Sequence, residues 1–187
     1  VVGGFARRMV AAAGNPFAVH LTTDRAEALA GARFVETQIR AGGMAARHQD
    51  ELLGRRWGLV GQETTGVGGF AAALRTIPAI LAVARDMQRL CPEAWLVNFA
   101  NPSGLVTEAL QRYAPEIHTV GLCNGPIGQK MAIARHTSAD PQAVELDYLG
   151  LNHLSWVRGA RVAGKDVWPQ VFPGYLERLR SAEDPEW

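Results

Sequence analysis

Short apolar runs alternate with longer segments in which apolar residues recur at helical spacing. β-branched and aromatic residues predict strands at four runs, namely 17–23, 32–39, 94–100 and 118–123. Helical periodicity predicts helices over 25–31, 71–90, 102–114 and 127–136, and the segment 41–58 begins as a glycine-rich loop and becomes helical. The glycine-dense stretch 64–70 predicts a flexible turn before the long helix. Beyond these, 144–156 predicts one long strand and 157–168 a hairpin that turns at Gly164.

The alternation of strand and helix indicates an α/β fold with a doubly wound, mostly parallel, Rossmann-like sheet. The strand runs are apolar enough that we expect helices to cover both faces of the sheet. Ligands of such sheets bind beyond the carboxyl ends of the strands. The chain starts without Met and stops in charged sequence, so we expect a fragment truncated at both ends, lacking its first strand and helix.

Composition narrows the function classes. The 187 residues carry a net charge of +1, which provides no field for attracting nucleic acid or an anionic membrane. The sequence contains no run of 18 apolar residues, so we expect no membrane span. We expect no signal peptide either. Two cysteines are too few for a disulfide framework, so we expect a cytoplasmic protein.

Polar residues follow three of the apolar runs at the point where each ends. These residues are Asn98 and Asn101, then Cys123 and Asn124, then Asn152 and His153. If the three strands are neighbours in one sheet, the side chains share one crevice, and Cys123 and His153 could bind one divalent metal.

Three other interpretations of Cys123 and His153 stay open at this point. A buried cysteine is most often a small apolar residue. A nucleophilic cysteine would need a base and an oxyanion hole, and no such signature surrounds Cys123. A histidine at a strand end is more often a hydrogen-bonded structural residue.

The stretch IRAGGMAARHQDEL, residues 39–52, joins a glycine-rich loop to Arg47, Asp50 and Glu51. An arginine fork at this place suits two-point binding of a carboxylate or phosphate. The competing interpretation is a solvated helix start with acidic residues near its first turn, which spacing alone favours.

Five motifs occur in a fixed order: IRAGGMAARHQDEL, GLVGQETTGVGGFAAALRTIP, AWLVNFANPSGLVTEAL, VGLCNGPIG and LDYLGLNHLSW. Together they closely resemble family four of the glycoside hydrolases, and within it the 6-phospho-β-glucosidases. That family is distantly similar to the lactate and malate dehydrogenases. The resemblance implies an NAD-dependent enzyme that departs from hydrolysis by two carboxylates. It implies oxidation of the sugar at C3, removal of the C2 proton beside a divalent metal, usually manganese, and elimination of the C1 leaving group.

The resemblance also implies roles for individual residues. Cys123 and His153 match the metal ligands. Arg47, Asn101 and Asn124 match substrate-binding positions, and the Asn at 124, where α-specific members tend to carry Asp, indicates the β-type. Asn98 and Asn101 match the cofactor-binding strand end. Glu63 matches an acidic residue near the active centre.

In the family, the NAD fingerprint precedes the part that corresponds to this chain. The catalytic tyrosine of the family is expected just past Trp187. The sequence around Tyr175 does not favour that residue as the catalytic base. We therefore expect residues 1–123 to form an incomplete NAD-binding domain and residues 124–187 to begin the metal- and substrate-binding domain. The expected partner is a phosphorylated disaccharide or glucoside, and the full-length enzyme is expected to be a homo-oligomer. Two alternatives are an inactive truncated remnant and a 2-hydroxy-acid dehydrogenase of the lactate/malate class.

Overall fold

The computed structural model describes residues 2–181, which form two small sheets and seven α-helices. The first part of the chain contains three short strands, β1 (Phe34–Thr37), β2 (Trp95–Asn98) and β3 (His118–Gly121). They pair in the order β1-β2-β3 and all run parallel, with Thr37, Asn98 and Gly121 aligned at the carboxyl edge. The predicted parallel sheet is thus present, and its strand ends meet at one edge.

Five helices accompany this sheet: α1 (Val2–Ala12), α2 (Arg25–Leu29), α3 (Gly43–Arg56), α4 (Gly66–Leu90) and α5 (Ser103–Tyr113). Asp24 caps α2, because its carboxylate accepts hydrogen bonds from the backbone N–H groups of Ala26 and Glu27. The first core forms where α4 and α5 pack on the sheet, and its fully buried side chains include Ile80, Met87 and Leu96. Helix α4 is long and apolar enough to cross a membrane by length and composition alone, and 39% of its apolar 18-residue window is buried within the described structure.

Only one face of the parallel sheet is covered by the residues described. On the other face, Phe34 is 73% and Trp95 45% exposed, and the rings of Trp95 and its register partner His118 stack with centroids 5.2 Å apart. The expectation of helices on both faces is therefore not met within residues 2–181. The covered face carries the alternate positions, including Val35, Leu96 and Thr37.

The second part of the chain has its own sheet and core. It comprises α6 (Gly125–Thr137), a short 3₁₀ turn (Pro141–Ala143), β4 (Val144–Leu151), β5 (Leu154–Val162), β6 (Lys165–Asp166) and α7 (Trp168–Ser181). The three strands are antiparallel in the order β4-β5-β6. A second cluster of buried residues, among them Ile133, Val144 and Val171, lies between this sheet and the helices. The domain division at 123/124 stays a prediction, although each side of it has a core.

Three predictions of local structure are wrong. Residues 17–23 form no strand, because no described strand pairs with them, and Phe17 remains 64% exposed. The glycine-dense stretch is not a free turn, since α4 already begins at Gly66. The segment 144–156 is not one strand but the hairpin of β4 and β5, which turns at Asn152 and His153. The predicted hairpin at Gly164 is confirmed, with β5 and β6 on either side.

The glycines of α4 permit a close approach of backbone to backbone. A Cβ atom on Gly68 would lie 2.1 Å from the carbonyl oxygen of Gln62, and one on Gly69 would lie 2.4 Å from Thr64. Real Cβ atoms do not approach backbone atoms this closely, so a side chain at either position would force the loop 62–65 away. Gly68 and Gly69 are therefore needed for close packing and do not make this segment flexible.

Candidate metal and substrate site

Cys123 and His153 lie side by side although thirty residues separate them. The Cys123 Sγ atom is 3.5 Å from the His153 Nε2 atom. Cys123 follows β3 and is half-buried, whereas His153 occupies the second turn position of the β4–β5 hairpin with φ of 58°. The expectation that their strands neighbour each other in one sheet is wrong, because His153 belongs to the antiparallel sheet. The two parts of the chain nevertheless bring the side chains within the distance expected of two ligands on one ion.

Among the described residues, the Cys123–His153 pair is not part of a larger ligand cluster. Within residues 2–181, no group of three or more His, Cys, Asp or Glu side chains is placed to hold a metal ion. A thiolate and an imidazole alone would leave most coordination positions of a divalent ion open, as in catalytic rather than structural sites.

Arg47 lies in a cluster of charged residues next to Asn101. Its Nε donates a hydrogen bond of 2.8 Å to Glu51, and its Nη1 is 3.2 Å from Glu63 Oε2. The hydrogen bond to Glu51 is the main cause of the raised pKa of Arg47. Glu63 is paired with Arg40 as well, so one carboxylate bridges two guanidinium groups. Arg47 thus faces other side chains and is not the solvated helix residue that spacing alone favoured.

Asp50, which is buried, and Arg75, which is partly exposed, form an ion pair beside this cluster. Arg75 on α4 binds both carboxylate oxygens of Asp50 on α3, and Asp50 is 5% exposed. The same guanidinium donates to the carbonyl oxygens of Ala41, at 3.3 Å, and Ala71, at 3.1 Å. One arginine therefore joins the loop before α3, the helix α3 itself and α4. The two-point pairing depends on two helices meeting in space, so no local sequence pattern indicates it.

Four of the predicted site residues line two neighbouring cavities, whereas Asn98, Asn124 and His153 line neither of these. Arg47, Glu63 and Asn101 line a small cavity of about 20 Å³, together with Asp50 and Arg75. Cys123 lines a second and larger cavity of about 270 Å³ beside α5. The two cavities are linked through the start of α5, where Ser103 of the second cavity donates its backbone N–H to the Asn101 side chain at 3.4 Å.

Asn98 has a different role from the predicted cofactor contact. Its side chain is fully buried. Its Oδ1 accepts hydrogen bonds from Thr37 Oγ1 at 3.0 Å and from Ala100 N at 3.2 Å, and its Nδ2 donates to Ala100 O at 3.0 Å. Asn98 therefore holds the ends of β1 and β2 together and shapes the turn toward Asn101. Because its side chain is fully buried and bonded within the protein, Asn98 is not placed to contact a ligand directly.

Asn124 and Tyr175 lie outside the two cavities. Asn124 is exposed at the N-cap of α6, next to Cys123. Tyr175 is 40% exposed on α7, where the guanidinium carbon of Arg178 lies 5.7 Å from the centre of its ring. The tyrosine expected past Trp187 lies outside the described residues, so the identity of the catalytic base stays a prediction.

Comparison with known proteins places these features in a family. The model of the family 4 glycosyl hydrolases matches residues 1–139. A probable 6-phospho-β-glucosidase of Bacillus subtilis (strain 168) is 46% identical over 192 residues, covering 100% of this chain and 43% of its own length. The chain thus spans less than half the length of this relative.

Solved structures agree with the family and with the fold. The 6-phospho-β-glucosidase of Thermotoga maritima with manganese, NAD⁺ and glucose-6-phosphate superposes with a TM-score of 0.84 at 38% identity, covering 97% of this chain and 44% of that one. The lactate dehydrogenase of Eimeria maxima with NADH and oxamate superposes with a TM-score of 0.61 at 17% identity, covering 91% of this chain and 49% of that one. This second likeness confirms the predicted dehydrogenase-like fold, but the match of sequence motifs is to the glycosidases. The chain belongs to family 4 of the glycosyl hydrolases.

Proposed function

We propose that the protein containing this segment is a 6-phospho-β-glucosidase that uses NAD and a divalent metal, manganese. The proposal applies to the whole protein, of which residues 1–187 form a part of the active centre. Two comparisons support the proposal, namely the family to which the chain belongs and the substrate named for the Bacillus subtilis relative. The observation that carries it is the 3.5 Å separation of Cys123 Sγ and His153 Nε2 beyond the carboxyl edge of the parallel sheet.

The Cys123–His153 pair fits a divalent ion by the chemistry of its donors. Thiolate and imidazole both bind first-row divalent metals, and two bonds of roughly 2.1–2.3 Å are compatible with the observed separation of 3.5 Å. When bound, the ion would polarise substrate oxygens and stabilise negative charge on the carbon that loses a proton. Because manganese prefers oxygen ligands, two such residues would hold it weakly, and hydroxyl groups of the sugar are suited to the open positions.

The carboxyl edge of β1, β2 and β3 is the place where a dinucleotide binds in sheets of this class. Asn101 is the side chain that would contact the cofactor or the sugar from this edge, because Asn98 is buried beneath it. The nicotinamide ring would supply the acceptor for hydride from the sugar. The residues of this chain then serve to orient the sugar hydroxyl groups toward that edge.

Arg47 is the proposed anchor for the anionic substrate. Its side chain is about one-third exposed, at 35%, and its guanidinium is already oriented by Glu51 and Glu63. A phosphorylated sugar would bind by two-point hydrogen bonds, in competition with Glu63 for the same nitrogen atoms. Glu63 is then placed to receive or hold a proton close to the sugar, as an auxiliary group. Asn124, exposed beside Cys123, is the proposed further contact to the sugar.

The test is made on the full-length enzyme with 6-phospho-β- and 6-phospho-α-glucosides. We expect hydrolysis of the β-glucoside, its loss on chelation and its recovery with manganese. Cys123→Ser should weaken manganese binding, measured directly by titration calorimetry, by at least tenfold, while the metal-free unfolding midpoint stays close to that of the parent. Hydrolysis that survives both Cys123→Ser and exhaustive chelation would refute the metal site. Hydrolysis of the α-glucoside alone would refute the assigned stereochemistry.

A further inference from the structure

Helix α3 carries Arg47 but is not anchored by a buried apolar face. Its buried residues are Asp50 and Gly54, and its two leucines stay partly exposed. The residue before the helix, Gly42, has a φ of 83° and offers no side chain to cap the first N–H groups. Most helices of globular proteins are fixed by the packing of an apolar face. Hydrophobic packing alone therefore does not set the direction in which α3 presents Arg47.

Arg75 on α4 supplies an anchor that is polar instead. Its Nη1 donates to Asp50 Oδ1 at 3.0 Å and to Ala71 O at 3.1 Å, its Nη2 donates to Asp50 Oδ2, and its Nε donates to Ala41 O at 3.3 Å. Asp50 lies one turn beyond Arg47 on α3, and Ala41 lies in the loop before that helix. A planar guanidinium holds such partners in fixed directions. The loop and the helix are thus both fixed to α4 through one side chain.

Two routes of contact lead from Arg75 to the guanidinium of Arg47. The first runs through α3, because Asp50 and Arg47 belong to the same helix. The second runs through the loop, because the carbonyl group that Arg75 holds there belongs to the residue after Arg40. Arg40 is paired with Glu63, and Glu63 Oε2 lies 3.2 Å from Arg47 Nη1. All five side chains line the same small cavity, so Arg75 supports that cavity from two sides.

We propose that Arg75 is a positioning residue, which fixes the loop 40–42 and α3 so that Arg47 presents its two-point fork to the anionic group of the substrate. The inference rests on the proposed function, because it takes Arg47 as the anchor of the phosphorylated sugar. Cys123 and His153 lie on other elements, after β3 and in the β4–β5 hairpin, and none of the four hydrogen bonds of Arg75 reaches them. Loss of Arg75 should therefore weaken substrate binding and leave metal binding unchanged.

The experiment separates positioning from stability in the full-length enzyme. The double variant Asp50→Leu/Arg75→Met leaves no unpaired charge behind, so its fold is spared the cost of an orphaned carboxylate. Its KM for a 6-phospho-β-glucoside should nevertheless rise about tenfold or more, the effect of a lost charge-assisted hydrogen bond, while kcat stays close to that of the parent. The dissociation constant of glucose-6-phosphate, measured by titration calorimetry, should rise with KM. The dissociation constant of manganese should stay at the value of the parent.

Arg75→Lys is the second variant, and it keeps the test decisive where the double variant does not fold. Lysine retains the charge beside Asp50, but its single nitrogen atom cannot hold Asp50 and Ala41 in the two directions of the fork. Its KM should rise by about threefold or more, as for one weakened hydrogen bond, with a urea midpoint close to that of the parent.

Arg85→Met is the matched control, since it makes the same substitution on the same helix. Arg85 is exposed and donates to Leu81 O within α4 at 3.3 Å, so KM should not change. A parental KM in both Arg75 variants, or a manganese dissociation constant that rises together with KM, would overturn the inference and leave the proposed function intact. A parent enzyme that does not hydrolyse the 6-phospho-β-glucoside would instead overturn the proposed function, and this inference with it.

Discussion

The ion pair of Asp50 and Arg75 provides a test in which the two partners should behave unequally. The Asp50 side chain is 6% exposed, whereas the Arg75 side chain is 35% exposed and keeps two carbonyl acceptors besides Asp50. Replacing Arg75 by Met leaves a carboxylate in a nearly dry environment. Replacing Asp50 by Leu leaves a guanidinium that still reaches solvent and two carbonyl groups. The first change should therefore destabilise the protein more than the second.

The magnitudes follow from the degree of burial. Removing one partner of a buried ion pair costs about 3–5 kcal/mol, so Arg75→Met should fall in that range. Losing a hydrogen bond to a charged but partly solvated group costs about 1.5–3 kcal/mol, so Asp50→Leu should fall there. The double variant Asp50→Leu/Arg75→Met has no orphaned charge and should be more stable than Arg75→Met alone.

The assay is urea unfolding at neutral pH, followed by circular dichroism, on the four members of this double-mutant cycle. Asp147→Asn is the control, because Asp147 and Arg158 form a pair of which the side chains are 54% and 59% exposed. Its loss should change the free energy of unfolding by less than about 1 kcal/mol. Equal costs for the two single variants, or a double variant less stable than either, would refute the argument from burial.

Four further outcomes are expected. Iodoacetamide should modify half-buried Cys123 well before Cys91, which is 6% exposed, and manganese should slow the modification of Cys123 in the full-length enzyme; equal rates for the two thiols by mass spectrometry would contradict this. Burial raises the pKa of the Cys91 thiol above its ordinary value of 9.0. The contribution of this thiol to stability is therefore fully present below about pH 9 and is lost as the pH rises through the folded-state pKa. The urea midpoint of the parent should fall more steeply above about pH 9 than the midpoint of Cys91→Ala. Gly68→Ala should destabilise by about 1–3 kcal/mol through overpacking, whereas Gly128→Ala, with open space around it inside α6, should stabilise by about 0.5–1 kcal/mol in the same unfolding assay. Arg47→Lys in the full-length enzyme should raise KM for the phosphorylated substrate, because a point charge cannot replace the two-point fork, and an unchanged KM and kcat would exclude Arg47 as the anchor.

The strands of the parallel sheet could be predicted because their signal is local. Leu96 and its neighbours form a short apolar run bounded by turn residues, and its length and aromatic content favour a buried strand over a helix. Residues 17–23 carry the same local pattern, but a strand also needs a neighbouring strand to pair with its backbone N–H and C=O groups. The sequence of the run alone does not indicate whether such a neighbour is present. The hairpin at His153 was missed for a related reason, since an Asn-His turn between two apolar runs lacks the usual glycine signal.

The site was predicted to a different extent for each residue. The positions of Cys123 and His153 after apolar runs suggested a possible metal-binding pair, and the ordered motifs assigned both as ligands. No property of either residue alone indicates a distance of 3.5 Å across thirty positions. Asn98 could not be assigned correctly from sequence, because its amide is occupied by Thr37, a residue 61 positions earlier. Arg75 lies within one of the quoted motifs, but its partner Asp50 is on another helix, so only the folded chain shows that the two neutralise each other.

The position of His153 at a hairpin tip has a thermodynamic consequence. Cys123 extends from the part of the chain with the parallel sheet, and His153 from the part with the antiparallel sheet, so an ion bound by both would be a cross-link between two separate cores. Metal concentration would then act on the docking of the cores by mass action, contributing about 2.7 kcal/mol at one hundred times the dissociation constant. In calorimetry of the full-length protein, the difference between the melting temperatures of the two cores should increase after chelation and decrease when manganese is added.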